Sequence, residues 1–522
     1  MRCLRTFTLG DRERLQGAYG WCGVSSSKPD TTELDIHWAG PGAATQRYGF
    51  KTIAGTVTAG RHICVPSDHK RLSRRPSLIR INPTVYGATG QLSYSTLGGC
   101  VNKKEDAGVV ASISDAKGAG PVLDDERLVL IDALRGLALF GVLAANMRAF
   151  NLPLMLYDAS EKIFPSLPDV WVQALLDVFI SAKAYTLFAF LFGLGFAIQM
   201  TRSQARSPGF PWFYLRRLGA LALFGLVHGI VIWDGDILLP YATTGFFLFW
   251  LRRAIPRTVL IWGACLWLLS PLLVVGRWVA KQSHIDALSW LAGAGASPDL
   301  TKAQQIVAIY AHANPIDLVR ENWQMWRQWI SFVPFSVVLS LPLFLMGLYV
   351  WRKGWVQTLS ERNVALRRIC AWTLSLGLLT QMACVAAHHL LTPDQPQSIL
   401  TLIVKLANLI SAPMVSCGYA TGLALLFQHP RWKARVLWLA PVGRMALTNY
   451  LTQSIFFVTF YSGIVTGLYG RVGPAWNMLA AILFYLAQLL FSHWWFRHFR
   501  FGPVEWFWRG LTYLKWPRMR VT

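Results

Sequence analysis

The stretch Arg127-Leu-Val-Leu-Ile-Asp-Ala-Leu-Arg-Gly-Leu-Ala-Leu-Phe-Gly-Val-Leu-Ala-Ala-Asn146 limits what this chain can fold into more than any other. It is apolar enough and long enough to cross a bilayer, yet it carries Asp132, Arg135 and Asn146. An ionisable group within the hydrocarbon costs several kcal/mol unless it faces a protein interior or a wet cavity. Asp132 and Arg135 are three residues apart, so a helix places them side by side and lets them neutralise each other. The segment therefore reads as the entry helix of a polar intramembrane site. A charge pair that only fixes helix packing is the plainer alternative.

Composition agrees with a membrane protein. Hydrophobic residues make up 54% and charged residues 15%, where a soluble domain carries about a quarter charged residues. The 24 tryptophans suit aromatic belts at the two membrane surfaces. A net charge of +24 would point to nucleic acid in a soluble chain. Here the basic residues sit in short loops between apolar runs, which the positive-inside rule explains without a nucleic-acid partner.

The chain changes character near residue 122. Residues 1–121 are rich in Gly, Ser, Thr and Arg, contain no run long enough to cross a bilayer and show no steady helical or strand period. They read as a disordered or weakly structured extension. A start at Val122 or Leu123 would make them no part of the protein, and an organelle transit peptide is the other reading, weakened by the recurring Asp and Glu. Residues 122–522 form a polytopic membrane domain.

Ten candidate spans follow, for an all-α integral membrane protein: Leu128–Phe150, Val172–Met200, Leu218–Trp233, Ile237–Leu251, Val259–Val279, Ile330–Val350, Ile369–Leu390, Ile399–Phe427, Leu437–Gly467 and Ala475–Phe496. The third and fourth are short and meet at Asp234-Gly-Asp236, as a tight hairpin would. Arg202, Arg206, Arg216 and Arg217; then Arg252, Arg253 and Arg257; then Arg352, Lys353, Arg362, Arg367 and Arg368; then Arg431, Lys433 and Arg435; and finally the tail from Arg497 to Arg520 all fall on one side of this arrangement. Both termini are then cytoplasmic, and the bacterial inner membrane is the expected location. The segment from Ser283 to Gln328 becomes a long external loop, in which Trp323, Trp326 and Trp329 suggest an interfacial helix. No cysteine or histidine spacing resembles a metal site or a disulfide framework.

Two polar sets carry what chemistry there is. His228 lies within Phe224-Gly-Leu-Val-His-Gly-Ile-Val-Ile-Trp-Asp-Gly-Asp236, in the outer half of the third span, with Asp234 and Asp236 following it and Asn146 and Arg148 ending the first span on the same side. Imidazole is the usual general base near neutral pH, a carboxylate orients it, and an amide or guanidinium stabilises an oxyanion. A histidine satisfied by a backbone carbonyl accounts for the same pattern. Toward the cytoplasm, Arg444, Thr448 and either Gln453 or Thr452 share a face of the ninth span near Asn449. In the tail, Glu505 and Arg509 stand at i,i+4 among aromatics, as the cap of a cavity mouth or as an interfacial anchor.

Four segments, Leu130-Ile-Asp-Ala-Leu-Arg-Gly-Leu-Ala, Trp233-Asp-Gly-Asp-Ile-Leu with Tyr241-Ala-Thr-Thr-Gly245, Gly443-Arg-Met-Ala-Leu-Thr-Asn-Tyr-Leu and Phe501-Gly-Pro-Val-Glu-Trp-Phe-Trp-Arg-Gly-Leu-Thr-Tyr, resemble the YeiB-like bacterial membrane proteins, domain of unknown function 418. The likeness runs from about residue 126 to the C-terminus. The first helix also looks like that of the transmembrane acyltransferase superfamily, in which an acyl group passes from cytoplasmic acyl-CoA to an acceptor on the far side. That resemblance implies acyl-CoA as co-substrate, no metal, and a small-molecule or envelope glycan or lipid acceptor. It makes His228 the catalytic base or a transient acyl carrier, and the polar set around it adds Asp234, Asp236 and Asn146 to the expected catalytic residues. Asp132, Arg135, Arg148, Arg444, Asn449, Glu505 and Arg509 are then the substrate contacts. A small-solute permease and a non-catalytic membrane partner are the rival expectations, although no internal repeat is visible between the two halves.

Overall fold

A computed structural model describes residues 129–153, 156–157, 160–204, 210–283, 300–330, 333–390 and 398–521, together with eight short strands between Thr6 and Thr96. Met1–Asp115 and Ala116–Thr522 form separate compact units. In the first, Leu15–Gly17, Gly20–Ser25, Leu34–Ala39 and Gln46–Phe50 make one antiparallel sheet. Thr6–Thr8, Gln91–Thr96, Ser77–Ile81 and Ile63–Val65 make a second. The reading of residues 1–121 as an unstructured extension, and of Val122 or Leu123 as a start, otherwise falls outside the described residues.

The second unit is an all-α membrane domain. Its principal helices are α1 (Val129–Asn151), α2 (Leu167–Phe179), α3 (Lys183–Gln204), α4 (Phe210–Val227), α5 (Leu238–Trp250), α6 (Pro256–Ser283), α7 (Leu300–His312) and α8 (Pro315–Trp329). They continue as α9 (Val333–Arg352), α10 (Asn363–Leu390), α11 (Ile399–Gln428), α12 (Pro430–Leu437), α13 (Ala440–Arg444), α14 (Ala446–Tyr461), α15 (Pro474–His498) and α16 (Pro503–Tyr513). Eight segments among the described residues are long and apolar enough to cross a membrane. Eight of the ten expected spans correspond to them. The fourth is the 13-residue α5, and the ninth is split between α13 and the 16-residue α14 at Met445. Both fall short of the ~20 residues a crossing needs. A hydropathy window registers their apolar content but not the interruption in their hydrogen bonding.

The helices differ in how they are used. In α1, 72% of the apolar window is buried, against 11% in α6 and 17% in the segment containing α10. The outer helices turn large apolar residues outward, among them Ile261, Leu268 and Leu272 on α6 and Trp372 and Leu379 on α10. Lipid rewards that arrangement where water would not. At the centre, backbones touch directly. A Cβ on Gly136 would lie 2.3 Å from the Leu439 carbonyl oxygen, and one on Gly443 would lie 1.8 Å from that of Asp132. Only glycine permits this crossing of α1 with α13, the small-residue contact that membrane helices exploit.

Candidate functional site

An interruption in α4 creates the site. Beyond Val227 the helix widens into a single π-helical turn, His228–Ile232, and closes with the Trp233 N–H donating to the His228 carbonyl at 2.8 Å. Such turns are frequent at functional positions. The hairpin that follows brings Asp236 back beneath the turn. Its Oδ1 lies 2.9 Å from His228 Nδ1 and accepts the Leu238 N–H at 3.1 Å, while Oδ2 accepts the Leu239 N–H at 2.8 Å. Asp236 thus caps α5 and orients the imidazole at once. With Nδ1 hydrogen-bonded to a carboxylate, the ring's other nitrogen is left as an acceptor. Nε2 is buried and has no hydrogen-bond partner.

The walls of this niche are aromatic. The rings of Tyr450 on α14 and Trp233 lie 5.1 Å and 6.1 Å from the imidazole. From the far side α8 braces the turn. Asn322 Nδ2 donates to the Ile232 carbonyl at 3.0 Å, and a Cβ on Gly229 would stand 2.7 Å from the Trp326 ring. The helix expected to lie at the membrane interface therefore packs on the His228 turn. Trp323 is half-exposed on its outer side, and the side chain of Trp329 lies outside the described residues.

Next to the niche lies a cavity of about 260 Å³. Arg135, Arg217, Arg444 and Arg509 line it with Asp132, Glu505, Gln199, Tyr214, Tyr241 and Tyr450, over an apolar floor that includes Leu139, Val142 and Phe188. The Asp132 and Arg135 pair expected from their spacing is present at 2.8 Å, and Gly195 leaves room for the Arg135 guanidinium. Arg444 lies over Phe496, Arg509 over Phe501, and Arg217 over Trp508 at 3.6 Å. Each cation is thus held on an aromatic face. From α16, Glu505 reaches the first turn of α14, accepting the Leu447 N–H at 2.7 Å, the Thr448 N–H at 3.1 Å and the Thr448 hydroxyl at 2.5 Å. Burial raises the Glu505 carboxyl above the usual carboxylate range, against the pull of these hydrogen bonds. The tail helix closes one wall of the cavity.

The other expected site residues make contacts of their own. Asp234 is half-buried in the hairpin turn, where desolvation pushes its carboxyl up to about 6, and it is Asp236 that bonds to His228. The Asn146 amide oxygen accepts the Tyr185 hydroxyl. Arg148 donates to the Tyr157 carbonyl and sits 4.2 Å above that ring. Asn449 ties α14 to α13 and α15 through the Val442 carbonyl and the Ser492 hydroxyl. Sequence reasoning missed two residues. Arg217 was counted among loop charges although α4 begins at Phe210, and Tyr450 lay unremarked beside Arg444 and Asn449.

A multi-pass α-helical membrane protein with a buried histidine–aspartate pair beside an arginine-lined cavity is the class that this fold and site define. The chain belongs to the family described as "Protein of unknown function (DUF418)", whose model matches residues 350–515. It is 31% identical over 414 residues to "Uncharacterized protein YxaH" of Bacillus subtilis (strain 168), covering 76% of this chain and 96% of that one. It is 32% identical over 403 residues to "Uncharacterized protein YeiB" of Escherichia coli (strain K12), covering 74% and 96%. No solved structure matches it significantly. The four motifs read from the sequence thus led to the right family.

Proposed function

We propose that this protein is a transmembrane acyltransferase of the bacterial inner membrane, passing an acyl group from cytoplasmic acyl-CoA to a small-molecule or envelope glycan or lipid acceptor. The observation that carries the reading is His228, whose Nδ1 is held by Asp236 while its buried Nε2 has no partner. A histidine kept only for packing would have both nitrogens satisfied or facing solvent.

The cavity supports the same reading. Its four arginines suit the phosphates of a CoA substrate. Arg217 and His228 stand on one helix about 16 Å apart along its axis. A long thioester arm can bridge that distance through the apolar floor. His228 Nε2 then takes the proton from the acceptor hydroxyl or amine as it attacks the thioester carbonyl, and returns it to the departing thiolate. Asp236 holds the ring and stabilises its charged form.

The rival reading is a solute permease. Along α1, the cavity lining runs from Ile131 to Val142, although the helix continues to Asn151. A site entered from one face fits this better than a through-pathway. The test is acyl-CoA consumption by the purified full-length protein in oriented vesicles, wild type beside His228→Ala, with labelled acyl-CoA on the arginine-rich face and envelope extract as acceptor. Consumption that falls about 10⁴-fold in the variant is the expected result. If the wild type consumes no acyl-CoA across several chain lengths, the acyltransferase reading fails and transport takes its place.

A further inference from the structure

We infer that Tyr450 is a catalytic residue of the same site, its hydroxyl donating to the oxyanion that forms on the acyl carbonyl when His228 deprotonates the acceptor. This rests on the acyl-transfer reading above and adds to it a residue and a role.

Five buried or partly buried tyrosines of this molecule donate their hydroxyls to other groups. Tyr185 donates to Asn146, Tyr241 to the Tyr185 carbonyl at 3.0 Å, Tyr310 to Asn322 at 2.7 Å, Tyr461 to Asn477 at 2.6 Å and Tyr485 to the Gly136 carbonyl at 2.7 Å. Tyr450 is 3% exposed, and its hydroxyl oxygen is buried without a hydrogen bond. The backbone N–H of Ile237 approaches that oxygen. An N–H can only donate to it, which leaves the hydroxyl proton with no acceptor. A buried donor without a partner is costly, so a fold retains one where something else supplies the acceptor.

Position points to what that acceptor is. Tyr450 joins the two halves of the site: it lines the arginine-rich cavity, and its ring lies tilted at 5.1 Å from the imidazole. A thioester carbonyl delivered through the cavity therefore arrives between a proton acceptor, His228 Nε2, and a proton donor, Tyr450 Oη. In the step, the bond from acceptor oxygen or nitrogen to carbonyl carbon forms as its proton moves to Nε2. The carbonyl π pair shifts to oxygen, which accepts the Tyr450 hydroxyl bond. When the pair returns, the carbon–sulfur bond breaks, and the thiolate takes the proton from Nε2. Tyr450 keeps its own proton throughout, as an oxyanion donor does.

Tyr450→Phe tests this with little risk to the fold, because it retains the ring and its packing. In the vesicle assay, kcat for acyl transfer should fall about 10²-fold. KM for acyl-CoA should stay within about twofold, and the thermal midpoint should match or exceed that of the wild type. Transfer within threefold of wild type, or a loss seen only in KM, would overturn the role of Tyr450 while leaving the acyltransferase reading intact. A wild type inactive on every acyl-CoA would overturn both.

Discussion

Lys183 and His228 are both sealed inside the apolar bundle, 2% and 1% exposed. Lys183 follows the break between α2 and α3, where Ala182 takes a left-handed φ of 63°. Its ammonium donates to the Asp177 carbonyl and, at 2.6 Å, to the Gln381 side-chain oxygen. Gln381 donates on to Ser411 at 2.6 Å, and Ser411 to the Ala407 carbonyl at 2.7 Å. The chain of donors closes. At His228 it stays open, with Nε2 and the Tyr450 hydroxyl unsatisfied; neither Lys183 nor His228 lines the arginine-rich cavity, but Tyr450 does. Burial of a polar group at membrane depth is common to both regions. What separates a brace from a reaction centre is whether the hydrogen-bonding capacity is spent.

The comparison can be broken by exchanging the losses. His228→Ala should abolish nearly all transfer, the largest effect expected, and leave the folded population of purified protein close to wild type. Asp236→Asn keeps the shape of the dyad but lets Nε2 carry the proton, so transfer measured in vesicles should drop about 10²-fold. Lys183→Met does the reverse. It strips the donor from Gln381 and from the Asp177 carbonyl, which should cost about 1–3 kcal/mol of stability by denaturant titration, while the folded fraction turns over at the wild-type rate. If Lys183→Met instead removes activity without destabilising, the two regions are not different in kind. The smallest effect sharpens the division within the site. Arg217→Gln removes one cavity charge and should raise KM for acyl-CoA about tenfold with kcat unchanged, a loss of roughly 1.4 kcal/mol in binding alone.

The central helix was legible because hydrophobicity and charge conflict there. Asp132 and Arg135 in an apolar run had to meet, and they do. The eight long spans were legible for the same reason of length and composition. The two short ones were not. Nothing local in Leu437–Gly467 shows that the helix restarts after Met445, because that break is held by Glu505, which lies 57 residues after Thr448 and caps the restart. The choice between Asp234 and Asp236 was equally closed to inspection. Both follow His228, and only the widened π turn sets which carboxylate returns to the ring. Arg217 was misplaced by a boundary, and the packing of Trp326 on Gly229 was not readable from the spacing of the tryptophans.

By itself, then, the sequence determined that this chain lives in a membrane, which helices are long enough to cross it, which family it belongs to and that His228 sits among polar company. These follow from composition and from spacing along one helix, quantities a linear chain carries in full. The tertiary structure alone decided that Asp236 holds the imidazole, that four arginines from four segments face one cavity, and that the Tyr450 hydroxyl is left with an unspent proton. Those facts depend on contacts between residues far apart in the chain, and hydrogen bonds are satisfied or left open only when such partners meet.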